Sequence, residues 1–434
     1  MVQRACRLWN LSAACLIVLT AYNILLTLKF MYTPDCSKNI IHVQNPPEPP
    51  RNPCVSNIDV FEKGDFSVKL DLRLGRLDNS LKYKYFDNFW VGESFPDLND
   101  RYTVCLATQS SLERLHSLVE VANHWSGPIS VSVFAAGDDE LNLLLLYITY
   151  LRQCQSNVRN RVSFHLAIPK SRVPRSVDID VEQISTMDCN RPEVTLKQML
   201  KHVSSETTRW KNKNAYPQNH MRNLARKNCQ TRFVYLTDVD IIPSYRQADE
   251  LERFLRRTDC KTKCAYVIPT YELDERVVFP SNKSDLLRLA NKGLARPFHQ
   301  KVFIFNQFAT NFSKWQNTIS QGSDIHISHT VTNFEFLYEP FYVAADDAPP
   351  HDERFVGYGY TRNTQVYEMF VAGYDFFVLS PIFTCHWGLS TKRSKPAWRE
   401  QQNNENRKKF DNFKHEVFAK YGRDPLNMMK RKIS

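Results

Sequence analysis

The sequence predicts an α/β fold with a mostly parallel sheet, because short β-rich runs alternate with helix-like segments from residue 102 onwards. Strands are predicted at residues 103–108, 129–135 and 162–168. Helices are predicted between them, at residues 110–125 and 140–157. In this arrangement helices cover the sheet, and ligands bind at the carboxyl ends of the strands.

Length and composition favour one large folded domain. The chain has 434 residues, 42% of them hydrophobic and only 12 of them glycine, which suffices for a single large core. The net charge of +11 would suit nucleic acid, but the basic residues are scattered and lack zinc-ligand spacing or an RNP-like aromatic motif. We therefore expect no nucleic-acid partner. An anionic ligand, such as a nucleotide diphosphate sugar or an acidic glycan, suits the same charge.

An uncharged apolar run at residues 8–28 predicts a transmembrane signal-anchor. As a helix it would be about 30 Å long, enough to cross a hydrocarbon core. Arg4 and Arg7 before it and Lys29 after it favour a cytoplasmic tail at residues 1–7 and a lumenal remainder. A cleaved signal peptide is the alternative, but no A-x-A-like cleavage site follows the run.

Two segments separate this anchor from a catalytic domain predicted at residues 101–434. Residues 29–60 are rich in proline and poor in large apolar side chains, which predicts an extended stem. Residues 61–100 contain more aromatic and charged side chains. We expect them to pack against the catalytic domain as an N-terminal extension.

Cysteine usage fits an oxidising lumen. Of the eleven cysteines, nine follow the predicted membrane helix. Some of these nine should pair, and their odd number leaves at least one free or in an intermolecular bond. Cys260 and Cys264 are close enough in sequence to form a local disulfide. Asn282 and Asn311 begin Asn-X-Ser sequons, which predicts N-glycosylation on the lumenal side.

An Asp-X-Asp motif follows a predicted strand. The apolar, β-rich run at residues 232–237 leads directly into Asp238-Val239-Asp240. Both carboxylates would then project from the carboxyl edge of the sheet. Carboxylate oxygens suit Mg²⁺ or Mn²⁺, and such a cation can bridge to a diphosphate. A solvated turn or a helix cap is the alternative for an isolated motif, but the strand before it and the Pro-Ser turn after it favour a metal site.

Several segments, in the same order, resemble glycosyltransferase family 49. They lie between about residues 102 and 421 and include residues 216–226, 238–244, 267–272, 311–315, 338–344, 352–360, 371–376 and 385–388. Residues 103–109 and 125–128 look closest to the single-domain β-1,4-glucuronyltransferase branch. The resemblance implies a GT-A fold and inverting transfer of glucuronic acid from UDP-glucuronate, dependent on Mn²⁺ or Mg²⁺. It also implies a type II protein of the Golgi membrane.

The resemblance also implies roles for particular residues. Asp238, Asp240 and His386 would be the metal ligands. Beyond this carry-over, our own candidates for donor binding are Asn219, Arg222, Thr108 and Lys395, the last in a stretch that departs from the family. Among them, arginine offers a two-pronged donor for a phosphate or uronate carboxylate, whereas a lysine in a basic stretch can equally belong to a solvated face.

One carboxylate must accept the proton of the acceptor hydroxyl in an inverting transfer. Asp352 is the first candidate and Glu353 the second, because both belong to a family-like block whose glycines allow close backbone approach to a sugar. Asp346 and Asp347 stay open as alternatives, and any of these acids could instead begin a helix.

Alternative functions stay open at this point. The same family could use another donor, such as UDP-N-acetylglucosamine, or the chain could be a non-catalytic glycan-binding relative. A metal-dependent phosphohydrolase would need more clustered His and Asp ligands than the sequence offers. The expected acceptor is an O-mannosyl or xylose-terminated glycan, and a dimer or a complex with another glycosyltransferase is left open.

Overall fold

The computed structural model describes Thr20 and residues 70–430, apart from residues 175–176, 178–183, 185, 319–321, 323 and 392–396. From residue 70 onwards these residues belong to one compact unit, Asp65–Ser434. The predicted tail and stem, all but one residue of the predicted signal-anchor, and Lys395 lie outside the described residues. Within the described part, no helix is both long enough and apolar enough to cross a membrane.

The described residues contain two β-sheets. In chain order their strands are β1 (Arg76–Leu77), β2 (Tyr83–Trp90), β3 (Val104–Ser111), β4 (Ile129–Phe134), β5 (Val162–Pro169), β6 (Phe233–Leu236), β7 (Ile242–Pro243), β8 (Lys263–Ile268), β9 (Thr270–Leu273), β10 (Ala295–Pro297), β11 (His326–Thr330), β12 (Phe341–Ala345), β13 (Tyr374–Ser380) and β14 (Thr384–Trp387). The large sheet has the order β1-β2-β5-β4-β3-β6-β12-β8-β13-β11, and the small sheet has the order β10-β9-β14-β7.

Helices connect these strands. In chain order the α-helices of the described residues are α1 (Phe95–Arg101), α2 (Leu118–His124), α3 (Asp138–Cys154), α4 (Ser156–Arg161), α5 (Pro192–Met199), α6 (Ser205–Lys213), α7 (Gln218–Lys227), α8 (Gln247–Arg257), α9 (Lys283–Asn291), α10 (Phe312–Asn317), α11 (Asn363–Val371) and α12 (Ala397–Tyr421). The alternation confirms the predicted α/β class.

The expectation of a mostly parallel sheet is wrong, because the large sheet is mixed. Its strands β5, β4, β3 and β6 run parallel to one another. Strand β12 is antiparallel to both β6 and β8, and β2 is antiparallel to β5. A strand that is buried on both faces has the same apolar pattern whichever way it runs. The pattern therefore does not predict whether the strand is parallel or antiparallel to its neighbours.

The first predicted elements are confirmed with one shift. The three predicted strands are present as β3, β4 and β5, and the helix predicted at residues 140–157 is present as α3 followed by α4. The helix predicted at residues 110–125 starts later, because Ser110 and Ser111 still pair with β4. A 3₁₀ helix, Leu112–Ser117, precedes α2.

The segment predicted as an N-terminal extension contributes strands to the large sheet. Strands β1 and β2 form an antiparallel pair, and β2 continues the sheet beside β5. The register of β2 against β5 shifts between Phe86 and Trp90. The extension therefore extends the hydrogen-bonded sheet in addition to packing against it.

Disulfides are present as expected. Among the described cysteines the pairs are Cys105–Cys229, Cys154–Cys189 and the predicted local bridge Cys260–Cys264. Cys385 is free and buried. Pairing on this scale is typical of a protein that folds in an oxidising compartment.

Helix α7 is fixed against β3 and β4 by several bonds. The Cys105–Cys229 disulfide links β3 to the second residue after the end of α7. The hydroxyl groups of Ser130 and Ser132, both on β4, donate to backbone carbonyls of α7 at 2.6 and 2.7 Å. These bonds set the rotation of the helix and hence the direction of its polar side chains.

His165 on β5 belongs to the same buried hydrogen-bond network. Its Nδ1 accepts the backbone N–H of Asn88 at 2.9 Å. Its Nε2 lies 2.8 Å from the Ser130 hydroxyl, which itself donates to a carbonyl of α7, so Nε2–H is the donor to Ser130. These bonds suit a neutral imidazole, and burial lowers the pKa of His165 to about 3.

Acid should therefore destabilise the fold through His165. The pKa of this imidazole is about 6.5 in the unfolded chain and about 3 in the folded protein. The contribution of neutral His165 to the free energy of unfolding is therefore fully present above about pH 6.5. Between pH 6.5 and 3 it falls by up to ~1.4 kcal/mol per pH unit. Denaturant unfolding at neutral and acidic pH should show a larger loss of unfolding free energy for the wild type than for His165→Gln. Equal losses would contradict this assignment.

Candidate active site

The candidate active site lies at the carboxyl end of β6, where Asp238 and Asp240 follow the strand. The backbone N–H of Thr237 still donates to β3 at 3.0 Å, so the chain leaves the sheet immediately after this residue. Because β3 is parallel to β6, its Thr108 and Gln109 lie at the same edge. The strand predicted before the Asp-X-Asp motif is thus confirmed.

Two buried arginines hold Asp238. Nη2 of Arg362 lies 2.8 Å from Oδ2, and Nη2 of Arg222 lies 3.3 Å from Oδ1. Arg362 immediately precedes α11, and its guanidinium also lies over the ring of Phe341. Burial by itself would raise the pKa of Asp238, but the charges of Arg362 and Arg222 lower it well below its ordinary range. The carboxylate is therefore charged.

Asp240 faces His386, which comes from the far end of the chain on β14. Nε2 of His386 lies 3.6 Å from Oδ2 of Asp240, and the exposed Arg114 donates to the same oxygen at 2.5 Å. Burial opposes ionisation of both groups. Their mutual attraction nevertheless lowers the pKa of Asp240 and raises the pKa of His386.

The donor set at this edge fits a divalent cation. Carboxylate oxygens suit Mg²⁺ and Mn²⁺, and imidazole is also a common ligand for first-row transition metals. The contact between Asp240 and His386 is too long for a hydrogen bond, and Nδ1 of His386 is buried with no partner among the described residues. The carboxylate of Asp238 is turned towards its arginines, and among the described residues the ligand atoms of Asp238, Asp240 and His386 do not all lie within 4.8 Å of one another.

Glu272 and His299, which the sequence did not single out, lie behind His386. Glu272 on β9 is opposite His386 in the parallel β9–β14 pair and is fully buried. It accepts hydrogen bonds from Arg296 at 2.8 Å and from the backbone N–H of His299 at 3.1 Å. The available signals were its place in the family-like segment at residues 267–272 and a glutamate inside a fully buried strand, which indicates a paired charge.

Glu339 is a further carboxylate at this edge. It lies just before β12, whose first residues pair with the last residues of β6. Its backbone N–H donates to the carbonyl of Asn306 at 2.8 Å. Burial raises the pKa of Glu339, while the nearby charges of Arg362 and Arg222 oppose this increase. Glu339 lies in the family-like segment at residues 338–344, so the sequence did contain a signal for it.

The predicted donor-binding residues that the structure describes all lie near this edge. Asn219 and Arg222 are buried on α7, and Arg222 donates to the side-chain oxygen of Asn219 at 3.0 Å. Thr108 is fully buried, and its hydroxyl has no partner among the described residues. Lys395 lies outside the described residues.

The carboxylates predicted as the general base are engaged elsewhere. Asp352 accepts a hydrogen bond from Arg354 at 2.9 Å, and only its backbone carbonyl reaches Asn219, at 2.8 Å. Glu353 accepts a hydrogen bond from Asn223 at 3.0 Å. Within the described residues, no contact joins either carboxylate to the Asp-X-Asp motif.

The two alternative bases lie at the other end of β12. Asp346 follows this strand, where Ala345 pairs with Phe233 at the start of β6. Its carboxylate accepts a hydrogen bond from Arg226 at 2.9 Å, and Asp347 contacts the hydroxyl of Tyr374. Because β12 is antiparallel to β6, these acids lie at the opposite sheet edge from Asp238. Their spacing in the sequence did not predict that they lie at the opposite end of the strand.

Both predicted glycosylation sites are exposed at helix starts. Asn282 caps α9 by accepting a backbone N–H at 2.9 Å, and Asn311 caps α10 in the same way at 3.1 Å. Their glycosylation stays a prediction.

Comparisons with known proteins place the chain in a family. A family model described as "Glycosyl-transferase for dystroglycan" matches residues 103–422. Beta-1,4-glucuronyltransferase 1 of Homo sapiens is 32% identical over 365 residues, which cover 82% of this chain and 85% of that protein. The protein of the same name from Danio rerio is 29% identical over 364 residues, covering 81% and 83%.

More distant matches follow. Xylosyl- and glucuronyltransferase LARGE1 of Homo sapiens is 27% identical over 289 residues, which cover 66% of this chain and 31% of that protein. A crystal structure of GalNAc-T7 with UDP, GalNAc and Mn²⁺ aligns with a TM-score of 0.36 at 7% identity, covering 73% of this chain and 50% of that one, which is too low to support an argument. On the family model and the human relative, the chain belongs to glycosyltransferase family 49 and is a glycosyltransferase.

Proposed function

We propose that this enzyme transfers glucuronic acid from UDP-glucuronate to a glycan acceptor with inversion at the anomeric carbon, with Mn²⁺ or Mg²⁺ held by Asp238, Asp240 and His386. The observation that carries the proposal is the contact of Asp240 with His386, at the same edge of the sheet as the Asp238 carboxylate that Arg222 and Arg362 hold. The names of the similar relatives, which are glucuronyltransferases, support the choice of donor.

The charges at this edge suit a nucleotide diphosphate sugar. Three arginines, Arg114, Arg222 and Arg362, contact the two aspartates of the motif. Nε of Arg222 is buried and has no hydrogen-bond partner among the described residues. A buried guanidinium with an unused donor costs free energy unless a ligand such as a phosphate or a uronate carboxylate accepts from it.

When bound, the cation would neutralise the charge that develops on the departing diphosphate. The protein side chains would orient the donor. Arg222, held in place by Asn219, and Arg362 would contact anionic oxygens, and the unpaired hydroxyl of Thr108 would offer a further hydrogen bond.

Glu339 is our candidate for the group that accepts the proton of the acceptor hydroxyl. It lies at the same sheet edge as the motif, whereas the carboxylates of Asp352 and Glu353 are bonded to other side chains. Burial raises the pKa of Glu339, and a less acidic carboxyl group is the stronger proton acceptor.

We also propose the cellular setting. Residues 8–28 would anchor the protein in the Golgi membrane, residues 29–60 would form a stem, and the catalytic unit would face the lumen. The three disulfides and the exposed sequons support an oxidising compartment. The proposed acceptor is an O-mannosyl or xylose-terminated glycan. We also propose that the enzyme assembles as a dimer or with another glycosyltransferase.

A donor panel tests the function. The purified chain is incubated with Mn²⁺, individual UDP-sugars, and xyloside or lactosamine acceptors, and the product is measured. We expect transfer from UDP-glucuronate to the xyloside, and we expect Asp240→Asn to lose about 100-fold or more of this rate with unchanged thermal unfolding. Transfer from UDP-N-acetylglucosamine alone would overturn the donor, and a fully active Asp240→Asn would overturn the metal site.

Arg362→Met should weaken UDP binding about 10- to 100-fold, or ~1.4–2.8 kcal/mol, because it removes a charge-assisted hydrogen bond to phosphate. Titration calorimetry measures the affinity. Arg354→Met is the matched control, since Arg354 pairs with Asp352 and Glu416. A similar loss of affinity in both variants would argue against a specific phosphate contact.

Glu339→Gln should lower kcat about 100-fold or more and leave the KM for UDP-glucuronate nearly unchanged, because the amide cannot accept the proton. Steady-state kinetics of Glu339→Gln and Asp352→Asn give the comparison. If Asp352→Asn loses kcat and Glu339→Gln retains it, Asp352 is the proton acceptor and our assignment of Glu339 is wrong.

A further inference from the structure

Three potential metal ligands meet on the side of α7 that carries His220. Asp78 comes from the turn between β1 and β2, His220 from α7, and Glu353 from the loop between β12 and α11. One ligand atom from each lies within 4.8 Å of the other two. His220 and Arg222 are two positions apart on the helix, so at about 100° per residue His220 points about 160° away from Arg222, which contacts the Asp-X-Asp motif.

His220 is buried without a hydrogen-bond partner. Its side chain is only 2% exposed, and neither ring nitrogen has a partner among the described residues. Nε2 lies 3.6 Å from Oδ2 of Asp78 and 3.8 Å from Oε2 of Glu353, which is too far for hydrogen bonds. A buried imidazole between two carboxylates that it does not touch requires an explanation.

Both carboxylates are held with an oxygen facing this imidazole. Oδ1 of Asp78 accepts the backbone N–H groups of Lys82 and Tyr83 at 2.7 and 2.6 Å, and Oδ2, which faces His220, also accepts the backbone N–H of Ser80 at 3.0 Å and the Ser80 hydroxyl. Oε1 of Glu353 accepts from Asn223 at 3.0 Å, which leaves Oε2 towards His220. Outer hydrogen bonds of this kind fix the orientation of ligating carboxylates in metal sites.

We propose that Asp78, His220 and Glu353 bind a divalent cation of the Zn²⁺ or Mn²⁺ type, at a site separate from Asp238, Asp240 and His386. A cation in the plane of three atoms with these separations, and equidistant from them, would lie about 2.0–2.4 Å from each, the range of such metal–ligand bonds. Two carboxylates and one imidazole form a mixed oxygen and nitrogen set that suits these ions. The side chain of Glu353 is 24% exposed, so water can complete the coordination.

The competing explanation is a protonated imidazole between two carboxylates. Burial lowers the pKa of His220 even though the charges of Glu353 and Asp78 oppose the decrease. A neutral imidazole is the form that binds a metal. The separations also favour the cation, since an imidazolium would be expected to close at least one of these gaps to hydrogen-bond length.

The cation would connect three segments that are distant in sequence. It would join the turn of the N-terminal hairpin and the loop that contains Glu353 to α7. The same helix carries Asn219 and Arg222 at the candidate active site. The cation is therefore assigned a structural role, in which it fixes the position of the donor-binding helix.

Metal analysis of the full chain tests this site in an Asp240→Asn background, which disables the other site. After saturation with Zn²⁺ or Mn²⁺ and dialysis, we expect about one equivalent of metal in Asp240→Asn and none once His220→Gln or Glu353→Gln is added. Glu416→Gln, which changes an exposed carboxylate paired with Arg354, is the control that should retain the metal.

Thermal unfolding gives a second readout, because a cation that binds the folded state raises the Tm. Added Zn²⁺ should raise the Tm of Asp240→Asn and leave the Tm of Asp240→Asn/Glu353→Gln unchanged. The proposal is overturned if Asp240→Asn retains no metal, as the protonated imidazole requires. It is also overturned if His220→Gln and Glu353→Gln retain as much metal as the control.

Discussion

The ion pairs of Asp238 with Arg222 and Arg362 are the interaction on which the candidate site depends. Two guanidinium groups are largely removed from water here and the carboxylate between them partly so, which is costly unless the charges meet in good geometry. The two arginines come from α7 and from the turn before α11, so the pairs form only when helix, sheet and loop are all in place. The same arrangement leaves excess positive charge at the edge, which suits an anionic donor.

Helix α7 connects these ion pairs to the rest of the fold. The Cys105–Cys229 disulfide and the Ser130 and Ser132 hydroxyls fix the helix on the parallel strands. Its rotation then directs Arg222 towards the Asp-X-Asp motif and His220 towards the N-terminal hairpin. The hairpin is therefore connected to the site through this helix, although residues 61–100 precede the predicted catalytic domain in sequence.

The acidic residues near the site divide according to strand direction. Because β12 is antiparallel to β6, Glu339 at its start lies near Asp238, whereas Asp346 beyond its end lies at the opposite edge. Asp352 and Glu353 approach α7 from the following loop, but their carboxylates bond to Arg354 and Asn223. Membership of a family-like block thus did not bring these two carboxylates into contact with the Asp-X-Asp motif.

The sequence by itself determined the α/β class, the strand before Asp238 and the family, because apolar periodicity and ordered motifs are local properties of the chain. Only the tertiary structure decided the mixed sheet, the pairing of Arg362 with Asp238, the position of Glu339 and the meeting of Asp78 with His220. These features depend on the direction in which the strands run and on contacts between residues that are more than a hundred positions apart in the sequence. Local pattern contains no information about either.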